Sequence, residues 1–129
     1  HPGSTIPAQI RIALAVGPEV LTGSTRLKAG TATKLVLNML TLGAMVRLGK
    51  TYGNLMVDVR PTSRKLRARA IHIVQSVTGC PAPAAIRALR AARGQVKTAI
   101  VMVHGRLPYA SARQRLARAH GLLRLALLK

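Results

Sequence analysis

Gly17-Pro18-Glu19-Val20-Leu21-Thr22-Gly23-Ser24-Thr25-Arg26-Leu27-Lys28-Ala29-Gly30 decides the fold, because it joins the end of one periodic segment to the start of another. Upstream, Ile10, Ile12, Leu14 and Val16 place large apolar residues at every second position, the period of a strand with one buried face, and Gly17-Pro18 ends it. Downstream, Leu27, Leu35, Met39, Leu42 and Val46 recur at roughly helical spacing, which predicts a long helix from about Thr25 to Leu48. Ala29, Gly30 and Ala32 in its first turns are small enough to let another backbone or a ligand approach closely, so tight packing is expected there. A strand running into a helix is where α/β proteins place ligands. Unpaired amides at the helix start, the hydroxyls of Ser24 and Thr25 and the cations Arg26 and Lys28 are what a phosphate requires. The competing reading keeps Ser24 and Thr25 as ordinary caps and Arg26 and Lys28 as solvated charges.

The same extended-then-helical pattern continues. Tyr52 to Val59 is expected to be extended, and Pro61 opens a second helix whose stripe is Leu66, Ala70, Ile73 and Val77, closed by Gly79. After Cys80-Pro81, helices are expected over about 84–92, 96–103, 109–119 and 122–128, punctuated by Gly94, Gly105 and Gly121 and adequate for a small bundle. No internal repeat stands out in the sequence.

At 129 residues the chain is of single-domain size, and its 49% apolar content excludes a disordered class despite a formal charge of +19 from 21 basic and 2 acidic residues. The charge is lopsided. Arg60 to Lys129 carries 15 basic residues and no acid, while the part up to Val59 carries six against Glu19 and Asp58. Such a surface attracts phosphate polyanions by counterion release, but the basic residues interleave with core positions as a solvated helix face does. With no Phe or Trp and only Tyr52 and Tyr109, there is almost no platform for base stacking.

Other chemistry is thin. His72, His104 and His120 lie 32 and 16 residues apart and show no zinc spacing with Cys80, so no metal is expected. Met39, Met45, Met56 and Met102 read as core filler. The longest apolar stretch, Leu35 to Val46, is broken by Asn38, Thr41 and Gly43 and falls short of the roughly 20 residues of a spanning helix, so no membrane segment is expected. The sequence opens at His1 without a signal-peptide progression, and its lone Cys80 fits a reducing compartment; cytoplasm is the expectation.

Positions 17 to 34, Gly-Pro-Glu-Val-Leu-Thr-Gly-Ser-Thr-Arg-Leu-Lys-Ala-Gly-Thr-Ala-Thr-Lys, closely resemble the signature shared by bacterial N-acetylmuramic acid 6-phosphate etherases and the animal glucokinase regulatory protein. The resemblance continues through Leu35-Val36-Leu37-Asn38-Met39-Leu40, Gly43 to Lys50 and Tyr52 to Val59, where it is similar to the etherase rather than the regulator, and more weakly through Lys97 to Met102 and Ala119-His120-Gly121. It implies a helix-rich α/β fold: the C-terminal part of a sugar isomerase (SIS)-type sugar phosphate domain over residues 1–59, a connecting helix over 60–80, and a small ubiquitin-associated-like helical bundle over 81–129. The implied reaction cleaves the lactyl ether of N-acetylmuramic acid 6-phosphate to N-acetylglucosamine 6-phosphate and D-lactate by elimination and water addition, with neither metal nor cofactor.

In the family, the acid/base glutamates and the main phosphate-binding serine loops lie upstream of the residues matched here, so no catalytic residue is assigned in this chain. Glu19, Ser24, Thr25, Arg26 and Lys28 are the candidates for the substrate end. Glu19 either touches substrate or holds the signature loop by accepting backbone N–H bonds, the role favoured here; Asp58 reads as a structural cap or turn residue. The resemblance further implies a homodimer, or association with an upstream SIS half, and cell-wall sugar recycling. The alternatives are a sugar phosphate binding module without catalysis, and a basic binder of nucleic acid or an anionic surface; nucleic acid and membrane are not the expected partners.

Overall fold

The computed structural model describes residues 7–128, so the Pro2-Gly3-Ser4 opening lies outside the described residues. The chain divides after Gly43 into two compact units. In the first, the segment expected to be a strand makes no ladder. A strand needs a second strand to form a ladder, and none is formed over Ile10 to Val16 among the described residues; Val16 N donates locally, to Leu14 O at 3.1 Å. Ile10 and Ile12 stay 81% and 52% exposed, so the alternating apolar face that the sequence advertises is uncovered.

Helix α1 spans Lys28–Arg47, starting three residues later than expected because Thr25 and Arg26 form a turn. Asn38, Thr41 and Gly43 do not interrupt it; the Thr41 hydroxyl donates back to Leu37 O at 2.9 Å. No residue of α1 is buried, and leucines stand exposed on several sides of it. The tight packing expected at Ala29, Gly30 and Ala32 is likewise missing among the described residues: all three are only half-buried, and a Cβ on Gly30 would come no nearer than 3.4 Å, to Thr25 O. By length and composition alone this 20-residue helix is of membrane-spanning size, because Asn38, Thr41 and Gly43 do not end it.

The second unit opens with a hairpin in place of a single extended segment. Strands β1 (Thr51–Tyr52) and β2 (Leu55–Met56) pair antiparallel, Thr51 opposite Met56 and Tyr52 opposite Leu55, across Gly53-Asn54 with Gly53 at φ 56°. Of the two turn residues only Gly53 has a positive φ, and glycine at the first central position is what a type II′ hairpin turn demands. Helix α2 (Arg64–Thr78) is capped by Ser63, whose hydroxyl accepts from Leu66 N at 3.2 Å, so the start signal is Ser63 rather than Pro61. Gly79, at φ 71°, closes it as expected.

Helices α3 (Ala82–Ala91), α4 (Val96–Gly105), α5 (Tyr109–Arg118) and α6 (Leu123–Leu127) follow at the expected places, with shifted ends. Helix α4 packs against α2, α3, α5 and α6, and its Val96, Ala99, Ile100 and Val101 sit in the core with Val57, Ile73, Val74 and Leu123. Much of the remaining core is alanine, which lets helix axes approach closely without aromatic filler.

A repeat that the sequence conceals emerges here. Pro81, Ala85, Leu89, Ala92, Gly94 and Ala99 recur 27 residues later as Pro108, Ala112, Leu116, Ala119, Gly121 and Ala126. The backbone bonds recur with them. Arg93 N, Gly94 N and Gln95 N donate to Arg90, Leu89 and Ala92 carbonyls, as His120 N, Gly121 N and Leu122 N do to Ala117, Leu116 and Ala119. In both turns a non-glycine residue adopts a left-handed φ (Arg93 54°, His120 51°) immediately before a glycine that shares it (Gly94 77°, Gly121 75°). The pair α5–α6 therefore repeats α3–α4. The sequence reading missed this because the identities are spaced alanines and turn residues, with most outward-facing positions changed.

Candidate functional site

The signature loop is tied to its helix by one carboxylate. Glu19 Oε2 accepts from Lys28 N and Oε1 from Ala29 N, both at 2.9 Å, which satisfies two of the amides that a helix start leaves unpaired. Those two bonds, Ala29 first, and then the nearby Lys28 charge hold the Glu19 carboxyl below its ordinary value of 4.5. Glu19 thus accepts backbone N–H bonds where the loop meets α1. A negative charge at the positive end of α1 is also the favourable sign.

The other candidates are close in sequence but divided in space. Thr25 faces a groove of about 560 Å³ along one side of α1, with Gly30, Thr33, Lys34 and Asn38. Arg26 and Lys28 line a separate depression of about 520 Å³ with Thr31 and Leu35. Ser24 is half-buried, and its amide donates to Leu21 O at 3.0 Å. The Lys28 ammonium turns back over Gly17, where an added Cβ would lie 3.8 Å from Nζ. Thr33, Lys34 and Asn38 were missed, although their three- and four-residue steps from Thr25 and Gly30 along one helix face were available as a signal.

Asp58, the chain's other carboxylate, is also committed. It pairs with Lys50 at 3.3 Å and Lys97 at 3.8 Å, while Lys97 Nζ donates to Gly121 O at 3.2 Å and Gly49 O at 3.4 Å. This joins the hairpin entry, α4 and the second repeat's turn. Lys97 was not foreseen as a pivot, since its partners are 24 and 48 residues away. Among the described residues no His, Cys, Asp or Glu cluster could hold a metal ion.

No family model matches the chain. Curated proteins do match it. It is 61% identical over 110 residues to the N-acetylmuramic acid 6-phosphate etherase of Cutibacterium acnes, covering 85% of this chain and 36% of that one. It is 54% identical to the etherase of Brucella anthropi over 98% of this chain and 42% of the relative, and 54% identical to that of Gloeobacter violaceus over 99% and 42%. The chain spans about two fifths of the length of the curated relatives it matches. At such identity over most of its length, the chain matches the C-terminal part of proteins named N-acetylmuramic acid 6-phosphate etherase.

Proposed function

We propose that residues 1–129 serve a lyase that cleaves the lactyl ether of N-acetylmuramic acid 6-phosphate, yielding N-acetylglucosamine 6-phosphate and D-lactate in cell-wall sugar recycling. The similarity to named etherases supports the reaction class. One structural observation carries the division of labour: both carboxylates of the chain are engaged, Glu19 at the α1 amides and Asp58 between two lysines. Proton abstraction and protonation of the departing lactate need free carboxyls of tuned pKa, so they are assigned to residues upstream of this segment. Ser24, Thr25, Arg26 and Lys28 are assigned to the sugar phosphate end, with Glu19 positioning their loop.

In this proposal residues 1–59 complete an SIS-type domain, residues 60–80 connect, and residues 81–129 form a ubiquitin-associated-like bundle. The uncovered face of α1 is covered by protein, in a cytoplasmic homodimer or against an upstream SIS half, and no cofactor is used. Lys34 and Asn38 in the middle of α1 favour a protein covering over lipid.

The test is D-lactate release from N-acetylmuramic acid 6-phosphate by the native polypeptide that contains this segment. Release is expected, with none from residues 1–129 alone. Sugar phosphate binding without lactate would establish the binding module instead.

A further inference from the structure

The second unit contains an open cleft of about 680 Å³, bordered by the Asp58–Thr62 segment, the α3–α4 turn and one side of α5. Arg60, Arg93 and Arg113 line it, together with Lys97. Its one carboxylate, Asp58, is already shared by Lys50 and Lys97, so the three guanidinium groups have no acidic partner among the described residues. No Asp or Glu follows Asp58 in the sequence given. Arg93 is preset: its guanidinium lies 5.2 Å from the centre of the Tyr109 ring, and the Tyr109 hydroxyl accepts from Gln95 Nε2 at 3.3 Å. The turn that carries Arg93 is pinned behind it, since a Cβ on Gly94 would lie 3.2 Å from Pro61 Cγ.

We propose that this cleft of the second unit binds a phosphate monoester of a small molecule, through residues other than those of the signature loop. Planar guanidinium forks suit the oxygens of a phosphate dianion, and three of them without counter-charge favour that dianion over a single carboxylate. The volume is that of a small-ligand pocket. A nucleic-acid strand fits poorly, because no aromatic side chain is among the residues that line the cleft, which leaves bases nothing to stack on.

The proposal is tested with the 129-residue chain in amide-resolved NMR titrations at constant ionic strength, using inorganic phosphate, glucosamine 6-phosphate and a short DNA duplex as probes. Saturable shifts centred on Gly94, Gln95 and Lys97 are expected with both phosphates. Arg93→Gln and Arg113→Gln should each weaken binding about tenfold, while Arg118→Gln and Arg124→Gln, outside the cleft, should stay within about twofold. Unchanged circular dichroism and melting of the variants separate lost binding from lost fold. Tighter binding of glucosamine 6-phosphate than of inorganic phosphate would identify an organic monoester as the occupant, and equal binding would identify free phosphate as sufficient. Shifts spread evenly over the arginines, Arg93 and Arg113 variants that bind as well as the parent, or duplex binding that depends equally on Arg118 and Arg124 would each overturn it.

Discussion

Helices α1 and α4 are both rich in Val, Met, Ala and Thr, with Leu added in α1 and Ile in α4, yet their fates are opposite. Five of the ten residues of α4 are buried, and none of the twenty of α1 is. Composition therefore does not decide burial here; the supply of neighbours does. Helix α4 is followed and preceded by short helices that fold back on it, and the chain gives α1 a loop held by Glu19 and little else. Hydrophobic residues state that a face is to be covered. They do not state whether the cover comes from the same stretch of chain.

The contrast breaks most visibly on truncation of core side chains. Ile100→Ala should cost about 2–5 kcal/mol in denaturant unfolding, because Ile100 is fully buried and its cavity cannot collapse among short neighbours. Next comes Gly49→Ala. At φ 66°, with Leu122 Cδ2 2.7 Å from an added Cβ and Gly121 O at 3.2 Å, it should lose about 2–3 kcal/mol, read as a lowered midpoint with unchanged slope. Lys97→Met keeps the aliphatic stem but strands two carbonyls and leaves Asp58 to Lys50 alone, for about 1–3 kcal/mol in the same measurement.

Glu19 sharpens the comparison through pH. Its folded value lies below 4.5, so its hold on α1 is complete above the ordinary glutamate range and is lost as pH falls through the depressed value. The Lys28 and Ala29 amide signals should move with that acid transition, while those of α4 should not follow it. Glu19→Gln should remove the transition. The smallest effect is expected from Leu40→Ala on α1, within about 0.5 kcal/mol for the isolated chain, since Leu40 is 56% exposed. In the native assembly the proposed covering of α1 requires a larger cost.

These expectations also mark what was legible in the residues. The short helices could be placed because glycine and proline punctuate them and their apolar stripes find partners within a few tens of residues. The strand at Ile10 to Val16 could not, because alternation describes a face and a ladder requires a second strand. Glu19 was read in its loop role from its place before a helix start, where unpaired amides attract a carboxylate. Ser24, Thr25, Arg26 and Lys28 were grouped from closeness in sequence; Thr25 and Arg26 lie in the turn before α1, and Thr25 lines a different groove from Arg26 and Lys28. Lys97 was hidden because only the folded chain brings Gly49 and Gly121 to one ammonium.

The duplicated helix–turn–helix bears on how the second unit reaches its native arrangement. Two stretches with the same alanine and glycine skeleton offer each other's docking positions during folding, so pairing α3 with α6, or exchanging a half between two molecules, is a ready kinetic trap. What separates right from wrong pairing is carried by the residues that differ between the copies. Gly94 fits against Pro61, whereas Leu122 and Gly121 fit against Gly49. Those unlike contacts discriminate between the two like halves. Exchanging the two turns would preserve every helix-forming tendency and scramble the order of assembly, which refolding rates would register before equilibrium stability did.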